Sequence, residues 1–326
     1  MFTKSSLMYD IITVGSATVD AFVNTENKLF IGKKRVHVPF GSKILIKELK
    51  FDIGGGGTNS AVAFSRLGFR TGYIGKIGMG TNSQRIIALL KKENVNLSLI
   101  SRENTRTGFS VILDAKGHDR TILAFKGSND DLLYSDIIKS KLRTKWFYFS
   151  SMMGKSFETQ KKLAVFAEKK GIKILFNPSS YLARKGVGYI RSILTRTNIL
   201  VLNKEEAGLL INKKSISSLL HDLHKKGPEI VVITDGKHGV YAYDGKDNYF
   251  LKPHGVKVLE ATGAGDSFGA GFLAGVIRKN DIEFALQLGL AEAESVITHY
   301  GTKNKLLTLN EAMRIIKRKP GKISRS

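Results

Sequence analysis

The sequence predicts an α/β protein of three layers, with a mostly parallel central sheet, helices on both faces and a small β-sheet beside it. Three observations predict it. Strand-like and helix-like segments alternate through most of the 326 residues. Runs such as "ILFN" (174–177) and "ILVLN" (199–203) are apolar at successive positions, as in strands covered on both faces. Two stretches, 21–53 and 107–126, carry strand-like runs with no helix between them.

Taken in order, "DIITVG" (10–15) reads as the first strand. "NSAVAFSRLG" (59–68) has Ala61, Phe64, Ser65 and Gly68 at helical spacing, with the glycine as a C-terminal stop. "TGYIGKIG" (71–78) is a strand and "SQRIIALLKKENV" (83–95) an amphipathic helix. "KWFYFSS" (145–151) is a strand, followed by helix 157–171 and strand "IKILFNP" (172–178). "TNILVLN" (197–203), helix "KEEAGLLI" (204–211), a helix over 215–226 and strand "EIVVIT" (229–234) continue the pattern. In the first helix-free stretch, "RVHVPF" (35–40) and "KILIKELKFDI" (43–53) read as strands. In the second, two strands flank the turn "AKGHD" (115–119). Together they read as an antiparallel hairpin system, a small sheet able to close over a substrate or to pair with a second subunit. No linker or internal repeat divides the chain, so one domain over 1–326 is expected, ending in a basic tail, 314–326.

Composition sets limits on function. Hydrophobic content is 42% and charged content 25%, as in a globular protein with a sizeable core. There is no cysteine, which excludes disulfides, thiolate metal sites and a cysteine nucleophile. No run of 18 apolar residues exists, and Asp10 interrupts any signal-like core near the N-terminus, so a cytoplasmic protein without a membrane partner is expected. The net charge of +24 is spread along the chain. It reads as a charged surface, not as a nucleic-acid site, because no nucleic-acid-binding motif accompanies it. The seven histidines show no metal-ligand spacing, and His221 and His224 read as surface residues.

Three glycine-rich turns carry the chemistry: "GGGGTNSA" (54–61), "TDGKHGV" (234–240) and "TGAGD" (262–266). The last opens a helix with Phe268, Phe272 and Val276 on one face. A helix start leaves amide groups unpaired, glycine lets a ligand approach them, and the helix dipole favours an anion. A carboxylate in that first turn, Asp266, is suited to orienting and deprotonating a hydroxyl, while the dipole should depress its pKa. A capped, glycine-rich helix start explains the same residues without any ligand. Two standard nucleotide motifs are excluded. Before "GKS" (154–156), Phe149 occupies the required glycine position of a phosphate loop. A dinucleotide fingerprint fails at Phe268 and again at Ser83.

Taken together, the motifs resemble the ribokinase-like (PfkB) carbohydrate kinases over nearly the whole chain. "GGGGTNSAVAFSRLG" is similar to that family's N-terminal signature, "NKEEA" (203–207) to its Asn-x-x-Glu motif, and "EATGAGDSFGAGF" (260–272) to its C-terminal signature. "TDGKHGV" and "FNPSS" (176–180) fall between them in the expected order. The resemblance implies a ribokinase-like core with a β-sheet lid over 21–53 and 107–126 and a homodimer formed through that lid. It implies ATP-dependent phosphorylation of a sugar-like hydroxyl, with ATP and Mg²⁺. Asp266 would be the general base, and the amides of Gly263, Ala264 and Gly265 the anion hole. Asp20, Gly55, Gly56 and Asn59 would bind substrate. Asn203, Glu206, Thr234, Gly236 and Gly239 would hold the nucleotide, with Glu206 on magnesium through water. Glu260 and Thr262 would lie at a monovalent-cation site.

Local structure accounts for some of these residues unaided. Asp20 suits a turn cap, and Asn203 with Glu206 makes a capping-box pattern. The sequence departs from the family at Glu260, where aspartate is usual, and at Gly80 and Ser83 in "GKIGMGTNS". Arg106 stands where proline is common. A sugar or nucleoside acceptor is expected, with Phe22, Phe109 and Phe125 as candidate partners for a base. A sugar phosphate is the alternative within the family, since Lys33, Lys34, Arg35, Arg102, Arg106, Arg120 and Lys126 crowd the same region. The alternative from another class is a non-catalytic nucleotide- or RNA-binding protein on a kinase scaffold.

Overall fold

Ile11–Val14 (β1) is buried along its whole length, with a parallel partner on each side. Its side chains alternate between two cores, Ile11 facing one and Ile12 and Val14 the other. The structure is a computed structural model that describes residues 8–25, 30–32, 35–37, 40–114 and 121–326.

Around β1 a ten-stranded sheet is built. On one side lie Thr71–Ile77 (β6) and Ile100–Arg102 (β7). On the other lie Trp146–Ser150 (β10), Lys173–Asn177 (β11), Ile199–Asn203 (β12) and Ile230–Thr234 (β13). All of these pairings are parallel. Val240–Tyr243 (β14), Asn248–Leu251 (β15) and Ile323–Arg325 (β16) extend the sheet antiparallel. Gly56–Arg66 (α1), Ala264–Lys279 (α8) and Ile282–Ile297 (α9) cover one face. Gly154–Lys170 (α3), Lys204–Ile211 (α6) and Ile216–His224 (α7) cover the other. The apolar runs of the sequence are thus strands sandwiched between helix layers.

Toward its C-terminal end, α8 packs closely against the start of α9. A Cβ on Gly275 would lie 2.4 Å from Ala285 Cα, so only glycine permits that approach. Asp281 starts α9 by accepting a hydrogen bond from the Phe284 amide at 2.7 Å.

The second sheet has four strands, in the order Glu48–Gly54 (β5), Thr18–Asn24 (β2), Gly108–Asp114 (β8) and Thr121–Phe125 (β9). β8 and β9 pair antiparallel as the expected hairpin, and one other pairing corrects the expectation. β2 pairs antiparallel with β5 but parallel with β8, because the chain passes through the large sheet between them. The sheet begins at Thr18, and residues 43–47 are not strand. Phe30–Gly32 and Arg35–His37 pair as a separate short ribbon. The "AKGHD" turn, Lys33, Lys34 and Arg120 lie outside the described residues. The segment 314–326 is not a free tail: Leu309–Arg318 (α10) contains its start, and β16 forms the sheet edge beside β15. His221 and His224 are half-buried instead of on the surface, packed at 4.4 and 5.0 Å from the Tyr243 ring.

Candidate active site

Strands β1, β10, β11, β12 and β13 run the same way and end at one cleft, the edge where open α/β sheets place ligands. The turn before α8 delivers Asp266 there. Gly263 caps the helix at φ 81°, a left-handed conformation that favours glycine, and its carbonyl accepts from the Ser267 amide at 2.9 Å. The Ala264 amide turns back to Ala261 O at 3.3 Å. The Gly263, Gly265 and Asp266 amides have no acceptor among the described residues. A Cβ on Gly265 would meet no protein atom within 4 Å, so the glycine keeps open a space that the protein itself does not fill.

Asp266 is half-buried at the floor of a cavity of about 190 Å³. The walls include Ser16, Gly56, Lys126, Asn129, Asn177 and Tyr181. Ser150, Ser151 and Ser179 also line it, and their buried hydroxyls have no partner among the described residues. Buried hydroxyls without partners in a cavity point to a bound polar ligand. Ser179 follows the Asn177–Pro178 step at φ 53°, a strained conformation for serine and one that recurs at functional sites. Lys126 sits 4.0 Å from the Tyr181 ring centre.

Burial pushes the Asp266 carboxyl above its ordinary pKa, opposed by a hydrogen bond from Asn59 and by the charge of Lys303. The expected depression by the helix dipole is therefore reversed, because desolvation of the carboxylate outweighs it. Asn59 Nδ2 donates to Asp266 Oδ2 at 2.8 Å. Its Oδ1 accepts from Thr302 Oγ1 at 3.0 Å and from Lys303 Nζ. Both ends of the amide are thus engaged within the protein, and Asn59 supports Asp266. Gly56 lets α1 start against α8, since a Cβ there would lie 3.2 Å from Asp266 Oδ1. Gly55, at φ 95°, packs on Ser16 O, which a Cβ would approach to 2.4 Å.

Asp20 comes from the small sheet. It is buried, hydrogen-bonded to Ser110 and Thr18, and raised in pKa chiefly by burial. Gly54 makes room for it, because a Cβ at 54 would lie 1.9 Å from Asp20 Oδ2. In register Asp20 stands directly opposite Asp52, two carboxylates on one face of the sheet.

At the other end of the cleft, Asn203 and Glu206 form the capping box. Asn203 Oδ1 accepts from the Glu206 amide at 2.9 Å, and Glu206 Oε2 from the Asn203 amide at 3.0 Å. Glu206 is buried, which raises its pKa, and Asp266 is close enough to add to the effect. Thr234 lies beside Asn203 in the sheet. Gly236, at φ 51°, faces open space, whereas Gly239, at φ 128°, leaves room for Phe250. The buried Glu260 accepts from the Gly301 amide at 2.7 Å, and the buried Thr262 Oγ1 has no partner among the described residues. No group of three or more His, Asp and Glu able to hold a metal occurs among the described residues. A wider cleft of about 880 Å³ lies at the C-terminal end of α8, lined by Lys279, Phe284 and Arg314, and shares no residue with the Asp266 cavity.

Sequence reasoning missed three residues. Asn129 pins the chain where it crosses between sheets, accepting from the Ala17 amide at 2.8 Å and donating to its carbonyl at 2.9 Å. Asp52 and Lys303 complete the charged cluster around Asp20. Nothing in "GTKNK" (301–305) separates Lys303 from the other basic residues, 52 in all with arginine.

Residues 8–309 match the pfkB family carbohydrate kinase profile. The chain belongs to that family. An uncharacterized sugar kinase of Archaeoglobus fulgidus is 31% identical over 251 residues, covering 75% of this chain and 98% of that one. A cytidine kinase of Thermococcus kodakarensis is 26% identical over 310 residues, covering 90% and 98%. The structure of Arabidopsis thaliana ribokinase complexed with ribose and ATP superposes with a TM-score of 0.84 at 20% identity, covering 95% and 99%. It shows that the two-sheet architecture is the ribokinase fold. As a pfkB-family kinase the protein is a phosphotransferase with an alcohol group as acceptor. Among its described residues no helix is long and apolar enough to cross a membrane.

Proposed function

We propose that this pfkB-family kinase transfers the γ-phosphoryl group of ATP to a hydroxyl of a sugar or nucleoside, with Asp266 as general base. The observation that carries the reading is the Asp266 carboxylate, facing a cavity of unpartnered hydroxyls at the start of α8. An acceptor hydroxyl in that cavity gives its proton to Asp266. Its oxygen bonds to the γ-phosphorus as the bond to the leaving oxygen breaks, and ADP departs with that electron pair. The free Gly263, Gly265 and Asp266 amides meet the charge on the moving phosphoryl group, with Ala264 shaping the turn that presents them. A raised pKa makes Asp266 a stronger proton acceptor than an exposed aspartate.

Asn203, Thr234, Gly236 and Gly239 line the side of the cleft read as the nucleotide site. The open space at Gly265 and Gly236 fits a phosphate-bearing ligand approaching bare backbone. Bound magnesium would neutralise charge on the phosphates. The single buried carboxylate of Glu206 fits an ion that keeps its waters and takes its other ligands from the nucleotide. Glu260 and Thr262 are read as lining a monovalent-cation site. Asp20, with Gly55, Gly56 and Asn59, is read as shaping the acceptor side.

A cavity of about 190 Å³ favours a sugar-sized acceptor, being below the ~300 Å³ at which pockets for larger ligands begin. A sugar phosphate is the second reading, favoured by Lys126 on the cavity wall. The small sheet is read as a cover over the acceptor and as the surface that pairs with a second copy.

The test is ADP release from ATP–Mg²⁺ with panels of sugars, nucleosides and sugar phosphates, on wild type and Asp266→Asn. Turnover with one class, lost by about 10²–10⁴-fold in the variant, is expected. Equal turnover in the two proteins refutes Asp266 as the base. Retention on RNA with no turnover would instead favour a binding protein on this scaffold.

A further inference from the structure

Lys303 is 3% exposed, an unusual place for an ammonium group. It follows α9 in the loop after Gly301, and its Nζ donates to Ile53 O at the end of β5 and to Asn59 Oδ1 on α1. Four carboxylates act on it electrostatically: Asp20 from β2, Asp52 from β5, Asp266 from α8, and Glu93 just after Thr81–Lys92 (α2). Arg66 of α1 holds the loop by donating to Lys303 O at 3.1 Å, with its charge paired to Glu93 at 2.6 Å. Lys303 thus ties the end of β5 in the small sheet to α1 and, through Asn59, to the start of α8.

The amide of Asn59 can lie in either of two orientations. Lys303 Nζ can only donate, so the end it meets must be oxygen, and the Asp266 carboxylate can only accept, so the end it meets must be nitrogen; the Thr302 hydroxyl fits either orientation. Without Lys303 the one obligate donor at the oxygen end is lost, and only the Asp266 carboxylate still selects the orientation. The facing carboxylates Asp20 and Asp52 also lose a cation whose charge acts on both.

We propose that Lys303 is a positioning residue for phosphoryl transfer, holding the Asn59 amide so that Nδ2 stays on Asp266 and setting a positive charge behind that contact. This rests on the reading of Asp266 as the base. Lys303 acts through Asn59 and through its field, and it touches no reacting atom in this assignment.

The test reads the titration of Asp266 directly, by carbon NMR of protein labelled at the aspartate carboxyl carbons, with the resonance assigned from its loss in Asp266→Asn. In Lys303→Met the Asp266 midpoint moves up by about one pH unit or more. In Lys303→Arg, which keeps a charge, it stays near the wild-type position. An unmoved midpoint in a folded Lys303→Met protein overturns the proposal. If Lys303→Met does not fold, wild type alone decides. Burial lowers the Lys303 pKa to about 8, so the Asp266 resonance should show a second inflection near that pH, and its absence overturns the proposal. The reading of the base fails separately, by turnover in Asp266→Asn, whatever Lys303 does.

Discussion

Glu292 offers a measurable test of how burial governs charge in this fold. It lies on α9, fully enclosed, with its Cγ 3.0 Å from where a Gly271 Cβ would stand. Its Oε2 accepts from the Leu307 amide at 3.3 Å, a long bond, and its buried Oε1 has no partner among the described residues. Burial raises its pKa from 4.5 to about 8, against weaker opposing effects of the Leu307 amide and Arg66. A pKa raised by folding means stability that is full below pH 4.5 and is lost as pH rises toward 8. At ~1.36 kcal/mol per unit, the loss is about 1.5 kcal/mol at pH 5.5 and about 4 kcal/mol at pH 7.5. Glu292→Gln removes this dependence, so its stability relative to wild type should grow by about 2.5 kcal/mol between those two pH values. Urea denaturation at both pH values measures it as a midpoint shift at constant slope. The same difference at both pH values would show that Glu292 is solvated or paired in solution, and would refute the burial argument.

Other expectations follow from the site and the small sheet. Gly265→Ala should fold with unchanged or higher Tm, since no protein atom meets the new Cβ, yet kcat/KM for ATP should fall at least about tenfold as the methyl enters the anion space. Retained kcat/KM would show that phosphate does not approach there. Asp266→Asn should gain stability near neutral pH while losing turnover, because it removes a buried carboxylate whose pKa is raised. Thermal melts at pH 5 and 7.5 check this, and a Tm below wild type at both would contradict it. On the small sheet, Leu49, Phe51, Leu123 and Phe125 are about half exposed, and strand alternation puts them on the face opposite Asp20. Sedimentation velocity should find a dimer that Leu123→Lys shifts to monomer, whereas a wild-type monomer at micromolar concentration would exclude that pairing.

The strands of the large sheet were legible because an apolar run covered on both faces is a local property. The α8 start was legible for a similar reason, since glycines placed for bare backbone and an acid in the first turn lie within five residues. The parallel pairing of β2 with β8 was not legible, because it depends on where the chain emerges from the other sheet. The meeting of the Asn59 amide with Asp266 was not legible either, because the two lie 207 residues apart, beyond any local pattern. The dipole argument for Asp266 failed on burial, which a helix-start motif does not encode. Lys303 was illegible because a buried lysine and a surface lysine are the same letter.

The cleft draws its parts from two sheets joined through a narrow crossing, where Asn129 holds Ala17 on both its amide and its carbonyl. Asp266 and Glu206 are carried by helices of the large sheet, while Asp20 and Asp52 ride on the small one. Inheritance can therefore treat them as separate modules. If Asp20 shapes the acceptor side as proposed, substitutions among β2, β5, β8 and β9 would redraw the list of accepted alcohols while Asp266 and its turn stay as they were. A directed-evolution library aimed at a new acceptor belongs on those strands, with Lys303 left alone as the residue through which one module would feel changes in the other.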